Sequence, residues 1–167
     1  MDLTIARILV PVDFSAHSDF ALQYAIALAK RLDASLHLLH VVEERLVTGV
    51  LIPEGAVTDL TGLRAELMAD AEQRLLACRE QAERARVPVV TAARVGVTSP
   101  AITEYTRAHN IDLIVMGTHG RTGMAHLVMG SVAERVVRQA PCPVLTVRGS
   151  ARREESSEAA VHAGVRQ

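Results

Sequence analysis

Lysine is almost missing from this chain: Lys30 is the only one among 167 residues. A Walker A loop, whose lysine reaches the β- and γ-phosphates, is thereby excluded, and neither GxxxxGK(S/T) nor GxGxxG occurs. Cysteine is scarce as well. Cys78 and Cys142 form neither a CxxC pair nor metal-ligand spacing, so no disulfide framework is expected and a reducing, cytoplasmic setting fits best. An excess of one charge is also lacking: 18 Lys plus Arg face 19 Asp plus Glu, a formal net charge of -1. Such a chain has no overall attraction to nucleic acid or to an anionic membrane, and neither is expected as a partner. The uncharged stretch Phe20 to Ala29 falls well short of the roughly 20 apolar residues that cross a bilayer. The N-terminus lacks the charge, apolar core and small-residue order of a signal peptide.

What the chain does have is 49% hydrophobic residues, enough for one substantial core and one domain. Ile5 to Val12 is a nearly continuous aliphatic run, as expected of a strand buried on both faces of a parallel sheet. Ala16 to Leu32 follows as an amphipathic helix, with Phe20, Tyr24, Ala27, Leu28 and Arg31 at helical spacing. Ser35 to Val42 is a second strand, and Glu43 to Thr61, with Gly49, Pro53 and Gly55, reads as a connector. Leu63, Leu67, Ala71, Leu75, Cys78 and Ala82 mark the longest helix, Gly62 to Arg86.

Val87 to Val95 is a third strand. Ser99 then serves as an N-cap, with Pro100 at the first helical position, for a helix over Ala101 to His109 that stops at Asn110. A fourth strand, Ile111 to Met116, a helix, Ser131 to Gln139, and a last strand, Pro143 to Val147, complete the pattern. Strands alternating with helices predict right-handed crossovers and an α/β, doubly wound, parallel sheet in residues 1–148. Residues 149–167 turn polar and are expected to form a flexible tail.

In such sheets ligands sit beyond the carboxyl ends of the strands, where strand order reverses. Two post-strand loops qualify. Pro11-Val12-Asp13-Phe14-Ser15 puts a carboxylate just past a buried strand, and Gly117-Thr118-His119-Gly120-Arg121-Thr122-Gly123 leads on to Gly130-Ser131 at a helix start. Glycines let a phosphate approach the backbone, the helix N-terminus adds unpaired N–H groups, and Arg121 could add one full positive charge. This connection is about twice the usual 2 to 6 residues.

The spacing Gly117-x2-Gly120-x9-Gly130-Ser131 resembles the nucleotide motif of the ATP-binding branch of the universal stress protein family. The likeness extends through RILVPVDFS (Arg7 to Ser15), LLHVVEE (Leu38 to Glu44), DLIVMGTHGRTG (Asp112 to Gly123) and GSVAERVVRQAPCPVLTV (Gly130 to Val147). The resemblance implies a five-stranded parallel sheet of order 3-2-1-4-5 with four flanking helices, its switch point between the first and fourth strands. It implies that Asp13, beside Pro11 and Val12, bonds the ribose or the adenine edge and that the backbone of Val41 reads the adenine. Met116, Gly117, Thr118, His119, Gly120, Arg121, Gly130, Ser131 and Val132 would surround the ribose and phosphates. ATP, ADP or AMP is then the expected ligand, with Mg carried by the phosphates.

Simpler roles compete for several of these residues. Ser15 can cap the first helix and leave the Asp13 carboxylate free, while Ser131 and Glu134 match a capping box. His119 and His126 lack acidic or cysteine partners at ligand spacing, and His37 and His40 fall on opposite faces of their strand. Cys142 reads as packing. The uncharged strand Val144 to Val147 needs a cover, and the resemblance implies a homodimer through it. The functions in view are a nucleotide-controlled regulatory dimer acting on a protein partner, a slow ATPase or autophosphorylating protein with Thr118, Thr122 or Ser131 as acceptor, and a nucleotide-independent interaction protein.

Overall fold

The computed structural model describes residues 4–44, 60–120 and 129–148. Its elements in chain order are β1 (Arg7–Pro11), α1 (Ala16–Leu32), β2 (Ser35–Glu43), α2 (Leu60–Arg84), β3 (Val89–Gly96), α3 (Thr98–Ala108), β4 (Leu113–Gly117), α4 (Ser131–Gln139) and β5 (Val144–Val147). The five strands form one sheet of order β3-β2-β1-β4-β5, every adjacent pair parallel. This is the expected doubly wound α/β architecture. β1, β3, β4 and β5 are one to three residues shorter than the aliphatic runs, because Ile5, Val12, Val87 and Ile111 lie beside the ladders rather than within them, while β2 runs one residue further, to Glu43.

Successive residues of a strand face opposite sides, and here the two sides have separate cores. Ile8 and Val10 of β1 pack with Leu36 and Leu38 of β2 against Ala21, Leu22 and Ala25 of α1 and Leu75, Cys78 and Ala82 of α2. Leu9, Leu39, Val41, Ile114 and Met116 face the other way, onto Ile102 and Tyr105 of α3 and Ala133 and Val136 of α4. β1 and β4 are therefore covered on both faces, which is why their sequences show no polar alternation.

Two local expectations are corrected. The buried stripe of α1 is Ser18, Ala21, Leu22, Ala25 and Ala29, while Tyr24 is 49% exposed and Ala27 and Arg31 face solvent. Small side chains let this helix sit close on the sheet, so the bulkier residues are pushed to its flanks. Helix α3 begins at Thr98, and Val97, not Ser99, occupies the N-cap position without a side-chain cap. Ser99 is buried inside the first turn, and the Thr98 hydroxyl donates instead to the Glu43 carboxylate at the end of β2. Pro100 remains in the first turn, where a missing N–H costs no helical bond.

Asn110 ends the α3 segment in the left-handed region at φ 48°, a conformation asparagine tolerates. Just beyond it, Asp112 Oδ2 accepts hydrogen bonds from the backbone N–H groups of Ala6 (3.0 Å) and Arg7 (2.8 Å). That carboxylate ties the entry of β4 to the entry of β1. Asp112→Ala is expected to lower the unfolding free energy by about 1–2 kcal/mol in urea denaturation, since charged hydrogen bonds at a half-exposed site are worth roughly that much.

Candidate functional site

β1 and β4 lie side by side at the centre of the sheet, and the helices that follow them, α1 and α4, pack on opposite faces. Between them opens the crevice characteristic of a strand-order switch point. Its walls are built from the chain in three pieces.

The first piece is the turn after β1. Asp13 Oδ1 accepts from Ser15 N–H (3.0 Å) and from the Ser15 hydroxyl (2.6 Å), closing an Asx turn over Phe14. Ser15 in turn accepts from Ser18 N–H and caps α1. The Asp13 carboxylate is therefore not left free by the capping serine, as its sequence reading had it; Ser15 does both jobs, and Oδ1 is bound. Oδ2 points at Gly120, where a Cβ would lie only 2.7 Å away. Phe14 holds φ at 63°, a left-handed conformation that costs a non-glycine residue roughly 1–2 kcal/mol. Its ring is clamped between His40, at 4.5 Å between centroids, and the guanidinium of Arg74 from α2, 4.1 Å from the ring centre.

The second piece follows β4. Gly117 is the last residue of the strand, and a Cβ there would lie 3.1 Å from the carbonyl oxygen of His17. Thr118 is buried, donates its N–H to Val147 O, and pairs its hydroxyl with His119 Nδ1 at 3.0 Å. The ring of His119 lies 5.7 Å from that of His17 at the start of α1. Gly130 N–H returns to Thr118 O at 2.7 Å, so the two ends of the long connection meet. Residues 121–128, which include Arg121, Thr122, Gly123 and His126, lie outside the described residues, as do the tail 149–167 and residues 45–59 of the connector.

At this meeting point α4 begins. Gly130 is its N-cap with extended φ and ψ, Ser131 is an exposed first helical residue, and no side chain caps the helix. The capping box is therefore absent: Glu134 pairs with Arg138 at 2.9 Å, one turn on. A glycine N-cap offers no side-chain acceptor to the first amides of α4, which open beside Thr118 and His119 with the positive end of the helix dipole.

The third piece is the main chain of β2. Odd-numbered residues of this strand direct N–H and C=O toward β1, as Ser35 N–H to Ala6 O and Leu39 O from Val12 N–H show. The β1–β2 register ends at Pro11↔Leu39, so Val41 lies one step past the last rung with its main-chain donor and acceptor directed over the end of β1. Among the described residues neither group has a backbone partner there. The side chains of Val41, Met116 and Val132 belong to one apolar cluster on the α3/α4 side. The residues singled out in the sequence thus divide cleanly. Asp13 approaches Gly120, Gly117, Thr118, Gly130 and Ser131 share one corner, the main chain of Val41 lies just past the Pro11↔Leu39 rung, and the Val12 side chain is buried in the α1/α2 core.

Sequence reading missed His17, His40 and the left-handed Phe14. The Asp-x-Ser spacing of 13 and 15 was a visible signal for the Asx turn. The two histidines carry none, because their roles depend on contacts between distant segments. The remaining titratable groups lie elsewhere. Burial raises the Cys142 thiol, with Asp112 adding to the effect, which suits a packing role. A cavity of about 570 Å³ lies at the outer edge of the sheet between α2 and β3, away from the crevice, lined by Leu75, Leu76, Thr91 and Ala92 among others.

His37 faces α3, with Nδ1 3.0 Å from the Tyr105 hydroxyl, while His40 is buried on the other face, as period-two geometry requires. Burial, then His109, then Arg7 lower the His37 pKa below its usual 6.5. A depressed histidine stabilises the fold above the unfolded-state value, and that stability is lost as pH falls below about 6.5. Urea denaturation between pH 7 and pH 5 is expected to show a shallower acid-side loss in His37→Gln than in the parent.

The architecture is that of a doubly wound α/β protein with its strand-order switch point between β1 and β4. The chain belongs to the universal stress protein family, whose model matches residues 4–148. It is 37% identical over 142 residues to universal stress protein MJ0531 of Methanocaldococcus jannaschii, covering 85% of this chain and 81% of the relative. The solved structure of MJ0577, a universal stress protein of the same organism, superposes with a TM-score of 0.78 at 27% identity, covering 88% of this chain and 98% of that one. UspA from Lactobacillus plantarum gives 0.72 at 28% identity, with 88% and 100% coverage. A universal stress protein solved in complex with cAMP shares the fold, at a TM-score of 0.66 and 21% identity over 88% of this chain and 99% of its own.

The contact between Gly120 and Asp13 is directly testable. Gly120→Val is expected to displace the Asp13 carboxylate and shift the Ser15 amide resonance, with the melting temperature changed by only a few degrees, roughly what a surface-loop substitution produces.

Proposed function

We propose that this chain binds an adenine nucleotide, ATP in the first instance, in the crevice between the β1 and β4 loops. The observation that carries the reading is the main-chain N–H and C=O of Val41 directed past the end of β1, facing the wall formed by Asp13, Gly117 and Gly120. A main-chain donor and acceptor on one residue, directed the same way, match the donor–acceptor edge of a purine, and the apolar cluster of Val41, Met116 and Val132 supplies a floor beneath it. Asp13 Oδ2 is the acceptor for a ribose hydroxyl. The glycine corner and the amides of Ser131 and Val132 take the phosphates, which explains how the site works without a lysine.

Adenine nucleotides also occur in the family, in the structures solved with cAMP and with dAMP. Their likeness to this chain is one of fold, and the reading for this chain rests on its own loops. Among the described residues no three His, Cys, Asp or Glu side chains converge as a metal site, so a Mg ion would ride on phosphate oxygens. The output we assign to the site is occupancy rather than turnover: nucleotide controls a regulatory dimer. The dimer contact is assigned to β5, an edge strand of four uncharged residues with Val144, Leu145 and Thr146 only partly buried. Residues 1–148 would act as the nucleotide domain and the tail as an appendage, in a cytoplasmic setting consistent with the unpaired thiols of Cys78 and Cys142.

Calorimetric titration of nucleotide-stripped protein with ATP and Mg is expected to give saturable binding in the micromolar range or tighter. Asp13→Ala is expected to weaken it about ten-fold, the cost of one charged hydrogen bond. No heat at millimolar ATP would return the chain to the nucleotide-independent reading.

A further inference from the structure

His40 is buried at 7% exposure in the middle of β2, on the face away from Val41, and a core strand gains little from a histidine there. Its Nδ1 lies 2.7 Å from the carbonyl oxygen of Val12. A carbonyl can only accept, so Nδ1 carries the hydrogen and donates it. In a parallel ladder that same carbonyl is the next acceptor for Val41 N–H, one rung above the bond from Val12 N–H to Leu39 O. The rung is not formed. The ring of His40 also supports Phe14, whose left-handed backbone sets the direction of the Asp13 turn, and Arg74 closes the stack from α2.

We infer that His40 is a positioning residue for the crevice. By donating to Val12 O it ends the β1–β2 ladder one rung early and keeps the main chain of Val41 open for a base edge. The inference rests on the adenine-nucleotide reading for its consequence, but the ladder termination is a property of the protein without ligand. His40 therefore governs selectivity for the base, not attraction for the phosphates.

Two substitutions separate the elements of this role. His40→Phe keeps a ring against Phe14 and removes the donor; His40→Asn keeps a donor near the Nδ1 position and removes the ring. In unliganded protein, hydrogen exchange at the Val41 amide is expected to slow at least ten-fold in His40→Phe, as the missing rung forms, and to stay near the parent rate in His40→Asn. In calorimetry with Mg, His40→Phe is expected to weaken ATP about ten-fold, the equivalent of one hydrogen bond, and to leave inorganic triphosphate unchanged, with ATP affinity restored in His40→Asn.

An equal loss for ATP and triphosphate would mark His40 as a merely structural core residue and overturn the inference, as would an unchanged Val41 exchange rate. If the parent itself binds no ATP, the nucleotide reading fails while the exchange measurement still decides the ladder claim. Should His40→Phe not fold, nuclear magnetic resonance of the parent decides: a slowly exchanging His40 Nδ1–H with a rapidly exchanging Val41 amide supports the role, and the reverse overturns it.

Discussion

The short seam between β1 and β4 is the constraint from which the rest of the carboxyl end follows. Only Ile8↔Leu113 and Leu9↔Ile114 define its register, and the Asp112 carboxylate fastens its lower end to the amides of Ala6 and Arg7. Because β1 leads to α1 on one face and β4 to α4 on the other, a strand-order switch point falls between them without any side chain forcing it. The crevice is a product of topology. Among the described residues its lining carries little side-chain charge besides Asp13.

On the proposed nucleotide reading, the glycines of this region take the place of a phosphate-binding lysine. A site that grips phosphate with a lysine needs only one well-placed side chain, whereas a site of backbone amides needs glycines at close approaches and a helix start without a capping side chain. Gly117, Gly120 and Gly130 each sit where an added Cβ would meet a neighbour within 3.3 Å. Asp13 provides the main polar handle, and its orientation is fixed by Ser15 on one oxygen and by the clamped Phe14 beneath. Strain at Phe14 is tolerated because its ring is held on two sides, so the cost of the left-handed backbone is offset by stacking and burial.

The fold was legible in the sequence because both its signals are local. Aliphatic runs such as Ile5 to Val12 mark where strands fall, and helical stripes such as Leu67 to Ala82 survive as the sheet-facing side of α2. The errors arose where size outweighed period. In α1, Tyr24 and Leu28 looked like the core face, but close packing on the sheet selected Ala21, Ala25 and Ala29. Caps were misassigned at Ser99 and Ser131 for a related reason: a serine near a helix start matches the pattern, yet backbone geometry placed the N-cap at Val97 and Gly130. The glycine loop and Asp13 could be found by position after strands. His40, His17 and Phe14 could not, since each acts through a residue far away in the chain, and that the Val41 main chain has no backbone partner toward β1 among the described residues becomes visible only once register is known.

Amide chemical-shift mapping of labelled protein during titration with ATP and Mg reads out both the position of the nucleotide site and its ligand. Saturable shifts at Ser15, Val41, Gly117, Gly120, Gly130 and Ser131, with the outer cavity between α2 and β3 silent, are the result expected. Shifts confined to Leu76, Thr91 and Ala92, or none at millimolar ATP, would contradict it.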